Sequence, residues 1–441
     1  MEQSKITTIC AISTPAGTGG IAVARVSGPK AIEIVDKVWK GKRLADAPSH
    51  SAHYGTIFDP ADNQALDDGI ATVFRAPRSF TGEDTVELSV HGSPWIQREL
   101  INLLIRNGAS IANRGEFTRR AVANGKLDIA EAEAVADMIA ASSRASQRIA
   151  LSHIRGEYSA GLNALRNQLI ELAALTELEL DFSEEDVEFA DRNKLLELAR
   201  AINKKVSELA KSFATGRAIK EGVKVTLSGA TNAGKSTLLN RLLGEEKAIV
   251  SNIHGTTRDT IEDTIEIGGI LFRFIDTAGL RETDDPIERI GIDRARQAIK
   301  TADINLWIVD SEHPILPLEQ SDNMIVVYNK RDLLTETVDG AISISALNDS
   351  DLSVLTEELI RRAIPMQIAP AQTVTNARHY EALLRAADSS ARIIEALSTT
   401  LPTDLIAQDI RETIDHLSSI TAPITTPTLL TQIFTRFCIG K

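Results

Sequence analysis

Long apolar runs are missing from this chain of 441 residues: none approaches the roughly 20 residues that a membrane-spanning helix needs. The first residues, MEQSKITTICAIS, lack the basic region, apolar core and cleavage site of a secretory leader. Cysteine is nearly absent. Cys10 and Cys438 sit close to opposite ends of the chain, which is no disulfide framework and fits a reducing cytoplasm. Positive charge is in deficit, with a formal net charge of −13. That balance argues against nonspecific nucleic-acid binding, although a local basic surface can still exist. Proline is absent between Trp95 and Asp285. What remains, 43% hydrophobic and 25% charged residues, is the composition of a globular protein of two or three domains.

Residues 1–120 read as mixed α/β. Thr7–Ile12 and Ile21–Val26 alternate as strands around the loop Pro15–Gly20, whose glycines alone are weak evidence for anion binding. In Thr85-Val-Glu-Leu-Ser-Val-His91, Val86, Leu88 and Val90 share one face and Glu87, Ser89 and His91 the other. Periodicity alone makes Glu87 and His91 the solvated side of an edge strand. From about Gly125 to Phe213 the composition shifts to Ala, Leu, Glu and Arg. Leu162, Leu165, Leu169 and Leu172 recur at helical spacing, as do Leu195, Leu198, Ile202, Val206 and Leu209, which predicts a helical bundle. The acidic patch Asp181–Asp186 reads as a helix break or a solvated turn. Residues 220–370 alternate strands and helices as a doubly wound sheet does, with a hairpin at Gly268-Gly269. Helical patterns return at Arg378–Leu397, Pro402–Ser419 and Thr426–Phe437. If this tail packs on the earlier helices, the sheet domain is an insertion within a helical one.

Chemistry concentrates at Gly229-Ala-Thr-Asn-Ala-Gly-Lys-Ser236, which follows the apolar run Val223, Val225, Leu227 and precedes a helical pattern. Strand, glycine loop and helix is the setting of a phosphate-binding P-loop, where backbone N–H groups face an anion at a helix N-terminus. The loop residues Asn232, Ala233, Gly234, Lys235, Ser236 and Thr237 would surround the phosphates, with Lys235 on the outer ones and Ser236 on Mg²⁺. Four further motifs follow in the order a GTPase requires. Gly255-Thr-Thr-Arg-Asp259 offers Thr257 to complete Mg²⁺ coordination. Asp276-Thr-Ala-Gly279 puts Asp276 on the metal through water and the Gly279 amide on the γ-phosphate. In Asn329-Lys-Arg-Asp332 the Asp332 carboxylate can accept from guanine N1–H and its 2-amino group, which adenine lacks; Lys330 stands beside it. Ser345-Ala346-Leu347 closes over the base. Each motif alone is common by chance, but five in order specify GTP/GDP. A small GTPase often carries Gln after the DxxG glycine to orient water, whereas here that position is Leu280. Arg281, Glu282, Asp284, Asp285 and Glu288 are the polar candidates nearby, and composition alone makes each a solvated loop charge.

Taken together, STPAGTGGIAVARVSG, SFTGEDTVEL, RGEFTRRAVANGKLD, GATNAGKS, GTTRD, DTAGLRE with IERIGI, NKRD and the terminal FCIGK resemble the MnmE (TrmE) family of tRNA modification GTPases over essentially the whole chain. The resemblance implies a homodimer built from an N-terminal tetrahydrofolate-binding and dimerisation domain (1–120), a helical domain (121–217 and 374–441) and an inserted Ras-like GTPase domain (218–373). It implies GTP hydrolysis activated by K⁺, with Asn232, Ser251, Ile253 and Thr256 around the cation and Glu288 orienting water. It implies that Arg25, Glu87, Lys126 and Lys441 contact 5,10-methylene- or 5-formyl-tetrahydrofolate. It gives Cys438 a catalytic role, where a lone cysteine would otherwise read as a small buried hydrophobe. The implied reaction, with the flavoprotein MnmG (GidA) as partner, installs an aminomethyl-type group on carbon 5 of the wobble uridine of tRNA. Ala230-Thr231 departs from the Arg-Pro common in the family, which removes a φ-fixing proline from the loop. The competing reading is a ribosome-assembly-type switch GTPase without folate chemistry, which would need neither the N-terminal segment nor Cys438.

Overall fold

The computed structural model describes residues 7–181, 192–230, 232–245, 262–276, 297–317, 321–333, 342–367, 371–399, 403–421 and 440. The chain divides into two compact units, Met1–Ala136 with Ser418–Lys441, and Asp137–Leu417.

The first unit is built on seven strands: β1 (Ile9–Ile12), β2 (Ile21–Ser27), β3 (Trp39–Gly41), β4 (Ser51–Phe58), β5 (Ala65–Phe74), β6 (Thr85–His91) and β7 (Ser110–Ile111). Their order in the sheet is β3-β4-β5-β6-β2-β1-β7. Val86, Leu88 and Val90 point inward, as alternation requires, and pack with Ile34 and Val35 of α1 (Ala31–Lys37) and Leu100, Leu103 and Leu104 of α2 (Pro94–Arg106). Full burial of each such side chain stabilises by about 1.5–3 kcal/mol. Cys10 lies in the same core, and burial pushes its thiol up to about 11, so it packs as an inert hydrophobe.

The expected edge strand is an inner one. β6 is not an edge strand but the middle of the sheet, with Glu87 in register between Thr72 of β5 and Arg25 of β2. Alternation reports the two faces of one strand and carries no information about how many neighbours that strand has. The far end of the chain belongs to this unit. Gly440 is buried, its carbonyl accepts from Ser13 Oγ at 3.0 Å, and a Cβ there would stand 2.1 Å from the Ile12 carbonyl oxygen.

The second unit begins with helices α5 (Arg144–Ile154), α6 (Glu157–Asp181), α7 (Arg192–Lys211) and α8 (Phe213–Glu221), after α3 (Glu116–Ala123) and α4 (Ile129–Ala140) have passed. Leu162, Leu165, Leu169 and Leu172 are buried along α6, and Leu195, Ile202, Val206 and Leu209 along α7. After the sheet described below, α11 (Ala377–Ser398) and α12 (Thr403–Thr421) return. Asn203 Nδ2 of α7 donates to the Ala387 carbonyl at 3.0 Å and to Ser390 Oγ at 2.8 Å, so helices from before and after the sheet pack on each other. The ring of Tyr158 stacks between His153, 4.7 Å away, and His379, 5.5 Å away, all three buried. Burial, then the neighbouring His379, holds His153 down at about 4 and therefore neutral. The rest of the acidic patch, Phe182–Asp186, and the helix expected at Thr426–Phe437 lie outside the described residues.

Between these helices, β8 (Val223–Gly229), β9 (Glu262–Ile267), β10 (Ile270–Asp276), β11 (Ile304–Asp310), β12 (Met324–Asn329) and β13 (Ile342–Ser343) form a sheet ordered β13-β12-β11-β8-β10-β9. β9 joins β10 as the antiparallel hairpin expected at Gly268-Gly269; the other ladders are parallel. Leu238, Leu239 and Leu242 of α9 (Lys235–Glu245) and Leu352, Leu355 and Leu359 of α10 (Asp349–Gln367) fill its core. β8 is buried on both faces, and its polar members find partners: Thr226 Oγ1 donates to Asn305 Oδ1, and Ser228 Oγ to the Leu306 carbonyl.

Candidate functional site: the carboxyl edge of the nucleotide sheet

After β8 the chain goes first to the β9–β10 hairpin, whose β10 pairs on one side of β8, and then to β11 on the other. The crevice at this reversal, beyond the carboxyl ends of the strands, is where an open parallel sheet presents ligands. Gly229, Asp276, Asp310 and Asn329 end β8, β10, β11 and β12 along that one edge.

The loop after β8 is shaped by residues of positive φ: Gly229 at 131°, Asn232 at 65° and Gly234 at 89°. Asparagine tolerates that region because its short polar side chain can bond locally, and glycine because it has no Cβ. α9 opens at Lys235, so the amides of its first turn and the exposed Ser236 and Thr237 side chains face outward from a helix N-terminus. Lys235 Nζ donates to the carbonyls of Gly229 at 2.9 Å and Ala230 at 2.8 Å, which lays the ammonium across the mouth of the loop.

A single buried amide ties three motifs together. Asn329 Nδ2 donates to the Ala233 carbonyl at 2.8 Å, while its Oδ1 accepts from the Ala346 amide at 3.0 Å. The P-loop, the end of β12 and the Ser345-Ala346 turn are thereby held at one spacing. Gly234 is required for the same reason, since a Cβ there would come within 2.2 Å of Asn329 Nδ2. The Ser345 amide donates to Asp351 Oδ2 at 2.9 Å, which anchors the turn from its other side.

Past Asn329 the chain kinks at Lys330, whose φ is 64°. The Arg331 amide then bonds to the Ile344 carbonyl at 3.0 Å, and the exposed Asp332 stands in a short 3₁₀ turn, Arg331–Leu333. Asp310 belongs to none of the motifs read from the sequence. Its carboxylate accepts from Lys330 Nζ at 2.6 Å and from the Glu312 amide at 3.0 Å. That hydrogen bond from Lys330 holds the Asp310 carboxyl below its ordinary value and the Lys330 ammonium above its own. The signal available in the sequence was an acidic residue closing the strand pattern Ile304–Val309, in the place where Asn329 closes the next strand.

In the other unit, Arg25 and Glu87 meet on the sheet face opposite α1 and α2, with Nη2–Oε1 at 2.7 Å. The Arg25 guanidinium also lies 5.5 Å from the Phe80 ring centre and 5.6 Å from that of Phe117. Lys126 Nζ bonds the Pro77 carbonyl at 3.1 Å and borders a hollow of about 470 Å³ lined by His50, Phe74, Arg78, Ser79 and Phe80. Sequence reasoning had no means of finding Phe80, Phe117 or His50, which are far from Arg25 in the chain. Ser251, Ile253, Thr256, Thr257, Gly279, Glu288, Cys438 and Lys441 lie outside the described residues, as does the side chain of Asp276.

Similarity to known proteins runs the length of the chain. The family description "MnmE helical domain" matches residues 129–438, and "GTP-binding protein TrmE N-terminus" matches residues 8–126. The tRNA modification GTPase MnmE of Parabacteroides distasonis is 47% identical over 462 residues, covering 99% of this chain and 100% of the relative. The protein of that name from Bacteroides fragilis (strain ATCC 25285) is 46% identical over 464 residues, covering 98% and 99%.

Proposed function

Because this chain belongs to the MnmE family of tRNA modification GTPases, we propose that its GTP hydrolysis serves the modification of the wobble uridine on carbon 5 in tRNA, using a tetrahydrofolate one-carbon unit. It is a GTP hydrolase acting in tRNA modification. The observation that carries the nucleotide half is the Asn329 amide, which joins the P-loop to the base-reading segments.

In the roles we assign, the α9 amides and Lys235 take the phosphates, Asp332 reads the guanine edge, and Asn329 fixes the distance between the two. Ser236, exposed on the first turn of α9, is available to Mg²⁺ together with Thr257. Asn232, exposed and in the left-handed region, is available to K⁺ with Ser251, Ile253 and Thr256. A monovalent cation there supplies the charge neutralisation that an arginine provides in other GTPases. Glu288 orients the attacking water.

Arg25, Glu87, Lys126 and Lys441 bind the folate. The Arg25–Glu87 pair fits a pterin: its 2-amino-4-oxo edge needs a carboxylate, and Phe80 and Phe117 offer apolar walls to a flat ring. Cys438 acts in the modification chemistry, and the buried seat of Gly440 at the end of β1 supports a C-terminal segment held on this unit. The same sheet face supports a homodimer. Tyr54, Ile70, Ser89 and Val23 stand in one register row across four strands, and Tyr54 is 73% and Ile70 44% exposed. The domain limits we adopt are 1–120, 121–217 with 374–441, and 218–373. The partner flavoprotein is MnmG, and the compartment the cytoplasm; among the described residues no helix is long and apolar enough to cross a membrane.

Mass spectrometry of tRNA from cells lacking the protein tests the assignment. Loss of the aminomethyl-type group at the wobble uridine is expected, and an unchanged nucleoside profile overturns it. Equilibrium binding of 5-formyltetrahydrofolate to the full chain tests the folate half. Normal GTP turnover without folate binding would leave a switch GTPase.

A further inference from the structure

The Asp310–Lys330 contact has no place in the roles assigned above, yet it is among the most constrained features of the nucleotide edge. Asp310 ends β11 directly opposite Asn329 in the ladder, and only 7% of the residue is exposed. One carboxylate oxygen takes the Lys330 ammonium at 2.6 Å, and the other takes the Glu312 amide at 3.0 Å. Ser311, the next residue, donates its amide to the Asn329 carbonyl at 3.1 Å, so the carboxylate is fixed relative to β12 from its backbone as well.

Lys330 is the residue at which the chain turns. Its φ of 64° is unfavourable for a side chain with a Cβ. Such a conformation persists only where surrounding contacts over-determine it. The backbone contacts are the Arg331 amide to the Ile344 carbonyl and the Leu333 amide to the Lys330 carbonyl, each 3.0 Å. The side-chain contact is Asp310. Two positions on, Asp332 is exposed in the short 3₁₀ turn that follows.

We propose that Asp310 is a positioning residue for guanine recognition: by gripping the Lys330 ammonium it holds the left-handed turn that aims the Asp332 carboxylate at the base. The inference rests on the guanine-reading role given to Asp332 above. An ordinary surface ion pair would contribute little, but this one is largely shielded, hydrogen-bonded on both carboxylate oxygens and coupled to a strained backbone.

The test is equilibrium binding of GDP, IDP and pyrophosphate to the full chain, comparing wild type with Asp310→Ala and Asp310→Glu, alongside thermal unfolding. Inosine lacks the 2-amino group, so the IDP/GDP ratio of dissociation constants reports the contact that Asp332 makes there. Asp310→Ala is expected to weaken GDP binding about tenfold, the scale of one charge-assisted hydrogen bond. It should bring the IDP/GDP ratio toward one while leaving pyrophosphate affinity unchanged. Asp310→Glu, which restores a carboxylate, should recover part of the ratio. A ratio unchanged in Asp310→Ala overturns the proposal, as does an equal loss of pyrophosphate and GDP binding, which would mark a merely structural residue. A wild-type chain that binds pyrophosphate but does not distinguish GDP from IDP removes the base-reading premise itself, which is a different failure.

Discussion

Replacing Asn329 by alanine should have two consequences that can be measured separately. The first is energetic. The substitution strands the Ala233 carbonyl and the Ala346 amide, in residues that are 0% and 4% exposed. A buried polar group left without its partner costs about 1–3 kcal/mol, so stranding both should cost about 2–6 kcal/mol. The second is a coupling. Gly234→Ala in the wild-type background drives a Cβ to 2.2 Å from Asn329 Nδ2 and also places alanine at a φ of 89°. The collision and the backbone strain together should cost about 3 kcal/mol or more. In an Asn329→Ala background the obstructing nitrogen is gone, and only the backbone strain of about 1–2 kcal/mol remains. A double-mutant cycle should therefore show about 1–2 kcal/mol of coupling, with the double variant more stable than the sum of the single ones predicts. Urea unfolding followed by amide exchange of β11 and β12 reads both quantities. Strict additivity would refute the claim that this amide sets the spacing between the P-loop and the Ser345-Ala346 turn, whatever the individual losses.

The buried His153 gives a pH dependence of known sign. Its folded value of about 4 lies below the ordinary 6.5; the unfolded chain therefore binds the extra proton first, and stability falls as pH drops from about 6.5 toward 4. The loss between pH 7 and 5 should be about 2 kcal/mol in urea titrations, and absent in His153→Gln; an equal slope in both proteins would place the acid sensitivity elsewhere. Asp332→Asn should move preference from GTP toward xanthosine triphosphate by several kcal/mol, since the 2-oxo group accepts where guanine donates, and competition binding that still favours GTP would show another base reader. GTP turnover should rise about tenfold or more when Na⁺ is replaced by K⁺, equivalent to about 1.4 kcal/mol of barrier, and Asn232→Ala should remove the difference. Equal rates in both salts would exclude a cation site at Asn232.

The nucleotide-binding motifs were legible in the chain because each is local. Gly229–Ser236, Asn329–Asp332 and Ser345–Ala346 are contiguous motifs recognisable by residue type: glycine or asparagine where the P-loop takes positive φ, a hydroxyl at the helix start, a carboxylate after a strand; the left-handed Lys330 carries no such mark. The strand faces and helix stripes were legible for the same reason, since Val86, Leu88 and Val90, or Leu162 through Leu172, reveal their inward side by period alone. Position in the sheet was not. Glu87 reads as a surface acid on an edge strand until register sets it beside Arg25, 62 residues away. The grip of Asp310 on Lys330, the Asn329 bridge, the His153–Tyr158–His379 stack and the seat of Gly440 against Ile12 likewise join residues distant in the chain. Such contacts depend on which elements pack together, and a pattern confined to one element cannot encode its neighbours.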